Sequence, residues 1–285
     1  MSLADWLSSG PLLTDGAWGT ELQSRGLDPG ACPDAWNLAE PARVESVARA
    51  YRQAGSRIIL TNTFRSNRVS LAGYGVADRT VELNRAGVAI SRAAGDGLVF
   101  ASIGPSGKML MTGEVTEDDL FAAFSEQAKA LAEAGADALL LETMTDLEEA
   151  KIALRAALPC GLPVVVSFVF DSGKNKDRTM MGSTPEQIAK AITAEGASVV
   201  GANCGVGIEA FLPVCRRLRA STHLPVWIKA NAGLPVSRDG RIVYDTTPEQ
   251  FASYAGALIE AGANFLGGCC GTTPEFIRAL ARVMP

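Results

Sequence analysis

The feature that most narrows the fold of this 285-residue chain is an alternation that runs almost its whole length. Short apolar runs, each followed by a longer amphipathic stretch, recur eight times. They are Leu12–Thr14, "RIILTNT" from Arg57, "LVFASIG" from Leu98, "ALLLET" from Ala138, "PVVVSFVF" from Pro163, "SVVGANC" from Ser198, "PVWIKAN" from Pro225 and "NFLGGCC" from Asn264. Most are β-branched or aromatic, as expected of strands buried on both faces. Between them lie helix signals. "TEDDLFAAFSEQAKALAEAGA" opens on Thr116 as N-cap, with Glu117, Asp118 and Asp119 in the first turn. "TPEQ" opens two more helices at Thr184 and Thr247, with proline in the first helical position. Three helices finish in "AGA" or "EGA", where glycine can take a left-handed C-cap. Eight such units of about 30 to 45 residues predict one (β/α)8 TIM-barrel domain over residues 1–285. The competing arrangement, a doubly wound open sheet, would carry Gly-x-Gly-x-x-Gly in its first turn, and "TDGAWGTEL" does not. The stretch Glu21–Pro41 is too long for an ordinary loop and is expected to cover one end of the barrel.

Charge excludes some partners. With 26 basic and 31 acidic residues the chain carries a net charge of -5, so it has no basic footprint for nucleic acid or an anionic membrane surface. Its start, "MSLADWLSSGPLL", has neither the basic region nor the apolar stretch of a signal peptide, and no run approaches the length of a membrane span. The six cysteines therefore read as reduced thiols of a cytoplasmic protein rather than a disulfide framework.

In a barrel of this kind the chemistry sits at the C-terminal ends of the strands. Those ends here are Asp15-Gly16, Thr61-Asn62-Thr63, Gly104-Pro105-Ser106, Glu142-Thr143, Asn203-Cys204, Asn231 and Cys269-Cys270. Polar and thiol groups gather at one rim while the strands stay apolar, which packing does not explain. Neighbouring cysteines are poorly placed to bridge each other, because their side chains diverge. A metal ion accepts both, since tetrahedral ligands about 2.3 Å from zinc stand about 3.7 Å apart. Cys204, two strands away in a closed barrel, is the third candidate ligand. Three thiolates favour Zn2+ and leave its fourth position open, as in a catalytic site. Gly267, Gly268 and Gly271 are expected to permit the backbone that aims both sulfurs inward. Cys160 and Cys215 suit simple burial. The sole histidine, His223, precedes the seventh strand on the opposite rim, so no histidine base is at hand.

Six motifs carry a resemblance. "DGAWGT" (Asp15–Thr20), "TNTF" (Thr61–Phe64), "ETM" (Glu142–Met144), "GANCGVG" (Gly201–Gly207), "NAGLP" (Asn231–Pro235) and "GGCCGTTP" (Gly267–Pro274) together resemble the homocysteine S-methyltransferase family, in order and over nearly the whole chain. That family includes the homocysteine module of methionine synthase and the betaine–homocysteine methyltransferases. The resemblance implies a zinc-dependent enzyme that methylates homocysteine to methionine. It implies Cys204, Cys269 and Cys270 as zinc ligands and catalytic centre, and Asp15, Gly16 and Glu142 at the amino-acid end of homocysteine. It also implies Asn231 as a residue that approaches the metal when substrate is absent. Thr143, also placed in the substrate site, stands where the animal betaine enzymes have a tyrosine, so that tyrosine's metal-capping role does not transfer. "WN" (Trp36-Asn37) with "TMMG" (Thr179–Gly182) and "GANCGVG" is similar to short bacterial enzymes assigned to betaine, while "TNTF" is equally similar to methionine synthase.

The expected mechanism follows from acidity. A free alkyl thiol, with a pKa of about 8.5, is mostly protonated at neutral pH; coordination to zinc removes the proton, and the thiolate attacks a methyl group in line. The partners expected are homocysteine and a small onium donor, betaine first. The alternatives are a separate methylcorrinoid protein or methylcobalamin, and, without catalysis, a zinc- or thiol-binding barrel. A quaternary ammonium would want aromatic rings facing the metal, for which Trp18, Trp36 and Phe64 are the candidates; Arg65 would oppose it if it faced inward.

Overall fold

A computed structural model describes residues 2–238 and 241–285. Eight parallel strands form the sheet, in the order β1-β10-β7-β6-β5-β4-β3-β2. They are β1 (Leu12–Leu13), β2 (Ile58–Leu60), β3 (Leu98–Ile103), β4 (Ala138–Met144), β5 (Val164–Phe168), β6 (Val199–Gly207), β7 (Val226–Asn231) and β10 (Ala263–Gly268). Each lies on one of the eight apolar runs. A short antiparallel hairpin, β8 (Val236–Arg238) with β9 (Arg241–Val243), rises from the loop after β7. The last seam closes the barrel by other means than a regular ladder. The Arg57 N–H donates to Leu13 O at 2.8 Å, and the Leu60 N–H donates to the Asp15 carboxylate at 2.7 Å. The fold is the (β/α)8 barrel that the alternation predicts.

Period-two burial explains why the strands read as unbroken apolar runs. Ile58, Leu60, Phe100, Leu140, Val165, Val199, Trp227 and Phe265 form the inner cluster. Their neighbours Ile59, Val99, Leu139, Leu141, Val164, Val166 and Ile228 pack outward against helix residues such as Val47, Tyr51, Phe124 and Ile188. The inner floor is aromatic: Trp227 lies 5.8 Å from Phe100 and 5.4 Å from Phe265 between ring centroids. The N-terminal helix Leu3–Leu7 closes this end, with Trp6 at 5.5 Å from Phe100.

The helix signals hold in detail. Thr116, Thr184 and Thr247 each form a capping box, with Asp119, Gln187 and Gln250 respectively reaching back. Gly135, Gly196 and Gly262 follow three helices with φ of 94°, 93° and 107°. Among the described residues no helix is long and apolar enough to cross a membrane. The excursion from Glu21 to Pro41 is tied to the C-terminal side of the barrel. Asp34 Oδ1 accepts from Arg65 N and Ser66 Oγ, and Asn37 Nδ2 donates to Asn62 O at 2.7 Å, which fixes the segment beside the loop after β2. It lines one sector of the rim.

Candidate metal and substrate site

Directly above the aromatic floor, the barrel interior turns polar. Asp15, Ser102, Glu142, Ser167, Asn203 and Lys229 are all buried there. The cysteines stand one step further toward the C-terminal mouth, where β6, β7 and β10 run side by side. Cys204 lies on β6 just before an irregularity in its pairing with β7, and takes φ 63°, the left-handed region that a non-glycine residue rarely enters. Cys269 and Cys270 follow the end of β10, anchored by Cys269 N donating to Ala230 O at 2.7 Å. The Sγ atoms of all three lie within 4.8 Å of one another, and those of Cys204 and Cys270 are 3.8 Å apart.

Three glycines were expected to supply unusual backbone around the pair; only Gly271 has a positive φ, of 79°. Gly267 and Gly268 serve by smallness. A Cβ on Gly267 would meet Thr14 Oγ1 at 1.9 Å, and one on Gly268 would meet Thr272 Oγ1 at 2.2 Å. The strand end can thus press against β1 and the turn that follows it.

The electrostatics of the trio ask for a cation. The close approach of the Cys269 and Cys270 thiols holds the Cys204 thiol far below the ordinary thiol range and makes their own protons correspondingly harder to remove. One charge therefore forms easily and the next two do not, unless a positive ion joins them. Asn231 adds a further sign. Its Nδ2 donates to Gly205 O at 2.8 Å, while its buried Oδ1 has no partner among the described residues. An orphaned buried carbonyl oxygen beside three converging sulfurs suits a fourth ligand position. The residues present therefore fit a tetrahedral, sulfur-rich metal such as zinc.

Asn203 ties the cluster to its surroundings. Its Oδ1 accepts from Ser167 Oγ at 2.7 Å and from Thr143 N at 2.9 Å, and its Nδ2 donates to Thr143 Oγ1 at 2.8 Å and faces Cys269 Sγ at 3.9 Å. Thr143, itself at φ 62°, is thus held by Asn203 at the end of β4. Glu142 precedes it, buried, with Oε1 accepting from Ser102 Oγ. Burial raises the Glu142 carboxyl, and the Lys229 ammonium opposes that shift. Asp15 is fully enclosed. Its Oδ1 pairs with Lys229 Nζ, and its Oδ2 accepts from Trp18 Nε1 at 2.8 Å and Leu60 N at 2.7 Å. Gly16 beside it has no room for a side chain, since a Cβ would lie 2.8 Å from both Thr272 Oγ1 and Tyr51.

The expected aromatic candidates are each engaged by a neighbour. Trp18 is engaged with Asp15, Trp36 lies under the Arg43 guanidinium at 5.2 Å, and Phe64 packs on Gly104. Arg65 turns to Tyr74, 5.9 Å from its ring, and not toward the sulfurs. The aromatic ring that does reach the cysteines is Tyr244, just after β9: a Cβ on Gly271 would stand 2.3 Å from it. Burial and the negative field of Cys270 push its hydroxyl up to about 12. Sequence reasoning passed over Tyr244, although it follows the seventh strand on the functional side. It also passed over Lys229 and Ser102, which sit inside apolar runs.

Comparison with known proteins identifies the family. Residues 12–284 match the homocysteine S-methyltransferase family. The chain belongs to the homocysteine S-methyltransferase family. Among the family's curated members it is 33% identical to methionine synthase of Mycobacterium tuberculosis and 32% to that of Mycobacterium leprae, each over 98% of this chain and 25% of the relative. This homocysteine S-methyltransferase family chain thus spans about a quarter of the length of those relatives. Among solved structures, the homocysteine methyltransferase MmuM from Escherichia coli in its metallated form has the same fold, with a TM-score of 0.82 at 24% identity, covering 98% of this chain and 99% of MmuM.

Proposed function

We propose that this family member methylates homocysteine to methionine, with zinc held by Cys204, Cys269 and Cys270. The observation that carries this is the convergence of three thiols from two strand ends at spacings that suit one tetrahedral ion. When bound, zinc supplies the acidity that lets an alkyl thiol lose its proton at neutral pH. The three cysteines supply excess negative charge, which keeps a neighbouring sulfur electron-rich. Asn231 Oδ1, buried without a partner among the described residues, would be available as a further ligand when no substrate thiol is bound. Glu142 offers its Oε2, which accepts no hydrogen bond from the described residues, to the substrate ammonium. Asp15 and Gly16 lie beneath the amino-acid end, and the buried N–H of Gly16 donates to no described group, leaving it for the carboxylate. Thr143, locked by Asn203, sets the position of Glu142 at its strand end.

For the methyl donor, a small onium compound, betaine first, is favoured. Tyr244 gives a cation a ring beside the sulfurs, and Arg65 does not oppose it. A cavity of about 490 Å3 opens where β6 ends, with Leu234, Val236, Lys176, Glu209 and Asp245 among its lining residues. A methyl group carried by a separate corrinoid protein is the second reading. Its support is the likeness to methionine synthase and the exposed methionines Met109, Met111, Met180 and Met181 on the loops after β3 and β5, an adaptable surface for a protein.

The test is methionine formation by the purified protein from homocysteine with betaine, a methylsulfonium compound or methylcobalamin. Turnover with an onium donor is expected; turnover with methylcobalamin alone would replace the donor and leave the rest standing. In the same preparation, calorimetry in buffers of different ionisation enthalpy should show about one proton released per homocysteine bound at neutral pH. Binding without proton release would mean that the sulfur stays a thiol and does not reach the metal.

A further inference from the structure

Lys229 is the charged group of the polar layer that the proposed chemistry leaves without a task. It sits in the middle of β7, 1% exposed, with its Nζ on Asp15 Oδ1 and 5.9 Å from the centroid of the Trp227 ring. A lysine so buried is rare unless paired. Asp15, 0% exposed, has three donors from three elements of the wall: Lys229 on β7, Trp18 after β1 and Leu60 on β2. Its oxygens are committed. Glu142, 8% exposed, has among the described residues only the Ser102 hydroxyl, on one oxygen. The charged groups that face Glu142 are Lys229 from β7, Asp15 from the turn after β1 and Cys204 from β6. Asp15, Glu142 and Lys229 together leave one negative charge over, which an incoming substrate ammonium would match.

We infer that Lys229 is a positioning residue for the amino-acid end of the substrate: by neutralising Asp15 it leaves Glu142 as the ionised carboxylate that receives the ammonium. This rests on the homocysteine site proposed above. Without the lysine, two buried carboxylates would face each other, and one would take up a proton. The choice between them is set by their partners. Asp15 keeps two N–H donors, which cannot turn round and so continue to demand an acceptor. The Ser102 hydroxyl can reverse and accept from a protonated Glu142. The proton therefore settles on Glu142, which then cannot pair with an ammonium.

The experiment is calorimetric binding to the zinc-loaded full chain of homocysteine, 3-aminopropane-1-thiol, which lacks the carboxylate, and 4-sulfanylbutanoate, which lacks the ammonium. Lys229→Met is expected to weaken the two ammonium-bearing thiols by about tenfold or more at pH 7 and to spare the third. Glu142→Gln should give the same pattern. Adding Asp15→Asn to Lys229→Met removes both members of the pair, returns the charge to Glu142, and should restore most of the lost affinity. Should Lys229→Met fail to fold, the double variant, which removes the lysine and the carboxylate it pairs with and leaves Glu142 as the one carboxylate of the three, carries the test. Unchanged homocysteine affinity in Lys229→Met would overturn the inference. So would an equal loss for 4-sulfanylbutanoate, which would put Lys229 on the substrate carboxylate, or a folded double variant with no recovery. A wild-type protein that binds no homocysteine would sink the proposed function and this inference together, whereas the other outcomes sink the inference alone.

Discussion

Replacing any one of Cys204, Cys269 or Cys270 by serine is expected to strip the protein of its metal and of methyl transfer together. A serine hydroxyl stays protonated at neutral pH and is a poor ligand for zinc, and two thiolates with one orphaned amide oxygen make an incomplete set. Elemental analysis of protein purified without added metal should fall from about one zinc per chain to a small fraction. Methionine formation should fall by orders of magnitude with it. Cys215→Ser supplies the control, because Cys215 is fully buried near Leu258 O, away from the trio, and should leave the metal in place. Full metal retention in any two of the three variants would end the case for this site.

Gly267→Ala is expected to be the most damaging single methyl group that can be added near the site. Its Cβ would lie 1.9 Å from Thr14 Oγ1 and 2.7 Å from Asp15 O, and the second of these is backbone that cannot step aside. Forcing β10 away from β1 should cost about 3 kcal/mol or more, since overpacking at a fixed wall has nowhere to relax. In thermal unfolding this would appear as a fall in Tm of roughly 5 to 10 °C. The same change at Gly256 has no heavy atom within 4 Å and lies in the helix Ala255–Glu260, so it should be neutral or slightly stabilising. Equal stability of the two variants would contradict the close approach of β10 to the turn after β1.

What the sequence discloses, and what it hides, divides along the line between local and distant causes. The strands are legible because both faces are apolar, so that "PVWIKAN" from Pro225 becomes Val226–Asn231 almost residue for residue. Thr116, Thr184 and Thr247 are legible because a capping box is closed by a residue three positions on. The cysteine trio is legible once the barrel is assumed, since strand order then brings the end of β6 near the end of β10. Lys229 is not. Its charge is tolerated in an apolar strand only because Asp15, 214 residues away, meets it, and no window of sequence contains both. Asp15 itself is only half legible: its position at the strand end marks it for chemistry, whereas its bond to Leu60 N makes it part of the wall. The hairpin β8–β9 was missed although "RDGR" from Arg238 holds an Asp-Gly turn signal; Asp239 and Gly240 lie outside the described residues. With the hairpin unrecognised, Tyr244 had no reason to be placed beside the sulfurs.

The plugged floor of the barrel has a consequence for traffic. Trp6 packs on Phe100, which in turn meets Trp227 and Phe265, so among the described residues this end is closed, and on the proposed function acceptor and donor would share the other mouth. Glu142 lies between Leu141, level with Val166 and Val200, and Met144, level with Phe168 and Ala202, and so below Cys204; on the proposed function the amino acid would be the first guest in and the last out. A spent donor still standing in the doorway would keep finished methionine inside, so product-inhibition patterns should be those of a queue, not of two independent visitors.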